Sequence, residues 1–188
     1  MEKIRTLFEQ QVSMSDHDWE SFSSKLVKAT YTSKGKILNL GEVENYLSFI
    51  VSGIIRYYVP GEEQDLTFGF SFENEFASAY DSFLTRNPSS YVLEALGSVQ
   101  LWRISYEDLQ TVYQESTVGN IIGRNAAEGL FLKKSKRELS LLKDSAEERY
   151  LKIFSERPEV IREIPLKYIA SYIGITPQAL SRIRKRIS

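Results

Sequence analysis

Between Tyr31 and Ile104 the chain passes through seven short runs rich in β-branched and aromatic residues, each cut off within a few residues by a turn signal. The runs fall near 29–32, 36–40, 46–51, 54–59, 65–71, 90–96 and 99–104, and the punctuation includes SKGK, GEVEN, SG and PGEEQ. Strands this short and this closely spaced cannot leave their edges to solvent. They must close as a barrel, a jelly roll or a sandwich. One segment interrupts the series: FENEFASAYDSFLTRNPSS is too irregular for a strand and reads as a short helix flanked by loops.

On both sides of this block the apolar period lengthens. SDHDWESFSSKLVKA opens like a helix, with Ser15 as N-cap, acids in the first turn, and Trp19, Phe22 and Leu26 on one face. After Tyr106 a helical pattern runs over roughly 106–143, broken in composition only by Gly119, Gly123 and Gly129. Small and apolar residues recur there at spacings of three to four: Val118, Gly119, Ile122, Gly123, Ala126 and Leu130. Such a face admits close approach of a second helix. A helix this long, leaving a small barrel, is expected to find part of its cover in a second copy of the chain, the alternative being a helix packed on its own barrel.

Composition narrows the chemistry. With 42% hydrophobic and 26% charged residues, the 188-residue chain can build a core and is not disordered in character. No apolar stretch reaches membrane-spanning length, and MEKIRTLFEQQV lacks the apolar core of a secretory signal, so the expected location is the cytoplasm. No cysteine is present, which excludes disulfides, iron–sulfur ligation and a thiol nucleophile. The single histidine, His17, sits in an exposed first turn, so no metal site and no cofactor are expected. The net charge of −1 hides an asymmetry: residues 1–115 hold 9 Lys/Arg against 17 Asp/Glu, residues 116–144 hold 6 against 3, and residues 145–188 hold 9 against 5. An acidic front and a basic end suggest a division of labour.

The end of the chain is the most specific part. SAEERYLKIFSERP reads as a capped helix ending at Pro158, and RPEVIREIP as a short link. IPLKYIASYIGITPQALSRIRKRIS then gives two helices about a tight turn, with Gly174 in the turn, Ile175 plugging the angle, Thr176 as cap and Pro177 first in the second helix. Ala179, Leu180 and Ile183 face inward. This is a helix-turn-helix, whose second helix can enter a major groove. Gln178, Ser181 and Arg182 are the residue types that read base edges, Lys185 and Arg186 can neutralise backbone charge, and Thr176 can help hold a phosphate.

In this order of parts the chain resembles the Crp/Fnr family of bacterial transcription regulators over nearly its whole length. KGKILNLGEVENYLSFIVSGIIRYY is similar to the first half of that family's β-roll, with Gly41, Gly53 and Arg56 where strands turn and resume. FENEF resembles the approach to the phosphate-binding cassette, and IASYIGITPQALSRIRKRI the recognition segment. The resemblance implies an α+β fold: an N-terminal antiparallel, jelly-roll-like β-roll effector domain over 1–115, a long dimerisation helix over 116–144, and a helix-turn-helix DNA-binding domain over 145–188. It implies double-stranded DNA, a second copy of the chain, RNA polymerase and a small-molecule effector as partners, with no membrane and no enzyme activity.

The cassette departs from the family pattern. Asn74-Glu75 stands where cyclic-AMP binders carry Gly-Glu, and Ser89-Ser90-Tyr91 where they carry Arg-Ser/Thr-Ala. Glu75, Arg86, Ser89 and Ser90 are thus the candidate pocket residues of an atypical effector site that does not take cyclic AMP. With the chain stopping after the recognition helix, any β-wing is expected to be reduced or absent. Two other classes compete. One is a small-molecule-binding β-roll whose helical tail mediates protein contacts. The other is a cupin-like enzyme, for which Glu73 with Glu75 supplies carboxylates but no accompanying base, nucleophile and oxyanion set.

Overall fold

The computed structural model describes residues Met1–Ile187. Two helices lead, α1 (Glu2–Glu9) and α2 (Asp16–Ser23). The first has no counterpart among the sequence patterns above. It forms because Ile4 and Phe8, one turn apart, both reach the core, where they are 0% and 4% exposed. The second starts as expected: Ser15 Oγ accepts from the Asp18 amide at 3.1 Å and the Asp18 carboxylate accepts from the Ser15 amide at 3.2 Å.

The strands are β1 (Val27–Tyr31), β2 (Lys36–Leu38), β3 (Tyr46–Ser52), β4 (Ile55–Val59), β5 (Leu66–Ser71), β6 (Phe76–Ala77), β7 (Val92–Ala95) and β8 (Val99–Ser105). They make two four-stranded sheets, in the orders β1-β8-β3-β6 and β2-β7-β4-β5. All seven expected strands are present. β6 is an addition, lying in the segment read as helix and loops, and at two residues it is too short to show a period. It is held by pairing with β3, Ser48 to Ala77 and Phe49 to Phe76. The helix expected in that segment is α3 (Tyr80–Thr85). Gly53, between β3 and β4, has φ +94°, and a Cβ there would lie 2.3 Å from the Ser98 carbonyl oxygen. Only glycine fits that turn.

Six more helices follow among the described residues: α4 (Tyr106–Glu115), α5 (Thr117–Lys143), α6 (Ala146–Glu156), α7 (Pro158–Glu163), α8 (Leu166–Ile173) and α9 (Pro177–Ile187). The expectation of one helix over roughly 106–143 is corrected. Ser116 takes extended backbone, φ −131° and ψ 120°, and separates α4 from α5. Its hydroxyl accepts from the Gly119 amide at 3.1 Å, capping α5, and donates to Asp18 Oδ1 at 2.9 Å. A serine cap can end one helix and begin the next without a glycine or proline to announce it. The link RPEVIREIP is likewise corrected: most of it is α7, with Pro158 at its first position.

The chain divides into two compact units, one formed by 1–57 and 70–128, the other by 58–69 and the chain from 129 onward. In the first, Ile4, Phe8, Phe22, Phe49, Phe83, Ile104, Leu109, Val112 and Ile122 form one buried cluster. Phe8 meets Phe22 edge-on at 5.1 Å and stacks on Phe76 at 6.0 Å. Charges are buried there as well. Arg56, 2% exposed, faces Glu94 at 3.5 Å, and Glu94 also pairs with Lys36.

Candidate nucleic-acid interface

The α8–α9 pair is built from local chemistry first. Ile169, Ala170, Ile173 and Leu180 are buried, at 0%, 0%, 1% and 1% exposure, and fix the angle between the helices. Gly174 ends α8 with φ 81°, the left-handed conformation that the turn requires. Thr176 Oγ1 accepts from the Ala179 amide at 3.2 Å and caps α9, with Pro177 next.

Long-range contacts complete what the turn begins. The last four carbonyls of a helix have no partner within it. In α8 each finds one: the carbonyl of Ala170 accepts from the Ile175 amide at 3.0 Å, and that of Ser171 from the Gly174 amide at 3.0 Å. The carbonyl of Tyr172 accepts from Arg137 at 2.5 Å, and that of Ile173 from Arg149 Nε at 2.9 Å. Arg137 comes from α5 and lies over the Tyr172 ring at 3.7 Å; burial pulls its pKa below the ordinary guanidinium value. Arg149 comes from α6 and also holds the Asp144 carbonyl at 2.5 Å. Two cations at a helix C-terminus suit its negative end. On the other side of α8, Ser171 Oγ accepts from the Thr67 amide at 2.8 Å and donates to the Asp65 carbonyl at 2.8 Å, tying the helix to the start of β5.

On this support, α9 exposes Gln178, Ser181, Arg182 and Lys185, none of which engages another group among the described residues. Thr176 is exposed as well, with its hydroxyl oxygen used as the cap. Arg186 differs: it is paired with Glu147 in the first turn of α6. Ser181 and Lys185, with Leu166, Pro177, Leu180 and Arg184, line a groove between the start of α8 and α9.

The candidate effector residues have separate commitments. Arg86, at φ 57°, donates to the Glu44 carbonyl at 2.6 Å and to Asn45, and lies 4.5 Å over the Tyr106 ring. Glu75 accepts from the Phe72 amide at 3.0 Å. Ser89 is buried and donates to the Tyr91 carbonyl at 2.9 Å, while Ser90 is exposed.

The small residues of α5 have an internal use. Gly119 meets Val112 of α4, Gly123 meets Tyr113, Ile122 is buried and Val118 packs against the same cluster. The room read as space for a second subunit is, at these four positions, filled by the chain itself. Ala126 is exposed and Leu130 half-buried. Further along α5, Leu132, Leu139 and Leu142 are 66%, 53% and 77% exposed. With Ser135 between them they recur at three- and four-residue steps, the spacing of apolar positions in a heptad pattern. Sequence periodicity could have found that exposed stripe; Arg137, Arg149 and Ser171 carry no such signal.

No protein-family model matches the chain, and no curated protein matches it. Solved structures do. FixK2 from Bradyrhizobium japonicum is 15% identical with TM-score 0.74, the match covering 86% of this chain and 84% of that one. The c-di-GMP-responsive global regulator CLP of Xanthomonas campestris is 19% identical with TM-score 0.68, covering 92% and 91%. A candidate transcriptional regulator of the Crp/Fnr family from Eubacterium rectale is 16% identical with TM-score 0.71, covering 93% and 83%. Paired four-stranded sheets, a long helix and a terminal helix-turn-helix, matched over most of both chains, give this protein the fold of the Crp/Fnr regulators.

Proposed function

We propose that the chain is a dimeric, sequence-specific DNA-binding transcription regulator of the Crp/Fnr type. One observation carries this reading: α9 presents Gln178, Ser181, Arg182 and Lys185 unpaired among the described residues, on a helix whose turn is fixed by Gly174. Unpaired Arg and Gln on a recognition helix can offer bidentate contacts to guanine and adenine. Lys185 can neutralise phosphate charge. The division of labour is effector module 1–115, dimerisation helix 116–144 and DNA-binding module 145–188. The exposed Leu132–Leu139–Leu142 seam supports a two-fold pair, which would place recognition helices about 34 Å apart on a pseudopalindromic site.

The effector site is atypical in this reading and does not take cyclic AMP, because Arg86 spends its guanidinium on Glu44, Asn45 and Tyr106. A cyclic phosphate would lack its charged clamp. A different small molecule and RNA polymerase are the further partners, and action on DNA in the cytoplasm follows. No helix among the described residues is long and apolar enough to cross a membrane.

Selection of bound sites from random duplex DNA tests the proposal. Arg182→Ala is expected to cost about 1–3 kcal/mol at one base position and relax the preference there. Lys185→Ala is expected to weaken all duplexes alike and lower the salt slope by about one unit. Failure to enrich any sequence would overturn the reading.

A further inference from the structure

Among the described residues, Arg186 is a side chain assigned to the DNA backbone that is already held by an acid. Its guanidinium pairs with Glu147, the two side chains being 66% and 33% exposed. The neighbouring acid is engaged elsewhere. Glu148 accepts from the Ser145 amide at 2.7 Å and Ser145 Oγ accepts from the Glu148 amide at 3.2 Å, closing the cap of α6. Glu147 is therefore not needed to start its helix. It tethers the far end of α9 instead. A carboxylate and a phosphate make the same demand on a guanidinium, two oxygens against its planar N–H fork. They cannot both be met in full.

We propose that Glu147 is an internal rival of the DNA backbone: it occupies Arg186 in the free protein and lowers affinity for every duplex, leaving sequence choice to Gln178, Ser181 and Arg182. The inference rests on the DNA-binding reading above. An exposed ion pair is held weakly, so DNA can displace the carboxylate, but each encounter must do so. A phosphate contact carries no sequence information, so the handicap falls equally on preferred and random sites.

The test is a titration of the 188-residue chain against two labelled duplexes, the selected site and a scrambled one, at several salt concentrations. Four proteins are compared: wild type, Glu147→Gln, Arg186→Ala and the double variant, with melting curves to verify folding. Glu147→Ala, which also leaves the Ser145–Glu148 cap in place, serves as a second replacement. The expected result is that Glu147→Gln tightens both duplexes by about two- to fivefold. The salt slope changes by less than the roughly one unit that a gained or lost phosphate contact gives, because Arg186 reaches the backbone in both proteins. In the Arg186→Ala background the same change has no effect. Wild-type binding that Glu147→Gln and Glu147→Ala leave unchanged would sink this proposal alone. So would equal tightening with Arg186 absent, which marks a general charge effect. If wild type binds neither duplex at any salt, the DNA-binding reading falls and takes the proposal with it.

Discussion

A Cβ on Gly119 would stand 2.9 Å from Val112 Cγ1 and 3.2 Å from the Val112 carbonyl oxygen. The absent side chain lets α5 lie against α4 just after the break at Ser116. Gly119→Ala is therefore expected to destabilise the protein by about 1–3 kcal/mol, since a backbone oxygen cannot move aside. At Gly129 a Cβ would meet nothing within 4 Å. Gly129→Ala is expected to stabilise by about 0.5–1 kcal/mol through helix propensity. Chemical denaturation of the two variants should give opposite signs.

Arg149→Ala removes the partner of the Ile173 carbonyl, and Ile173 is 1% exposed. A buried acceptor left unpaired costs about 1–3 kcal/mol. Melting is expected to fall, and DNA affinity to fall for all sequences without a change of preferred site. Gly174→Ala separates strain from crowding. The nearest atom to the added Cβ is Arg149 Nη2 at 3.9 Å, so the cost is the left-handed backbone alone, about 1–2 kcal/mol. A much larger loss would mean that the turn also needs space.

Leu139→Glu places a charge in the middle of the exposed α5 seam. In a two-fold pair the two glutamates would face each other across it, and sedimentation is expected to show dissociation at micromolar concentration. The monomer should keep its melting cooperativity, because Leu139 is 53% exposed within the chain. A dimer unaffected by this change would place the contact elsewhere on the molecule.

Glu44 is 2% exposed, and burial pushes its pKa up despite amide contacts from Tyr46 and Ala79 and Arg103 at 3.7 Å. A carboxyl whose folded pKa exceeds its unfolded value, about 4.3, favours the folded state most below that value. Its contribution is lost as pH rises through the folded pKa. Glu44→Gln has no such loss. The stability of the variant relative to wild type is thus expected to improve as pH rises above about 4.3. Denaturant melts of both proteins across that range check the sign, and a variant that instead loses ground to wild type with rising pH would show that Arg103 outweighs burial.

Where structure follows from neighbours in the chain, the sequence was enough. The seven strands were legible because turn residues and β-branched runs alternate over short distances, and the helix-turn-helix because Gly174, Thr176 and Pro177 act within one turn of where they stand. The break at Ser116 left no mark in the helical pattern over 106–143, because one serine caps both helices with no breaker beside it. Partners far apart in the chain escaped for a different reason. Ser171 reaches Thr67 across 104 positions, Arg137 reaches Tyr172 across 35, and Arg86 reaches Glu44 across 42. An arginine or serine can donate to any carbonyl the fold brings near, so its type and spacing do not say which. Small residues at helical spacing in α5 marked a close helix contact, but only the packing of α4 decided that the neighbour at Gly119 and Gly123 is the chain itself. Local conformational preference is written residue by residue; the choice among equivalent distant partners is made by the packed core.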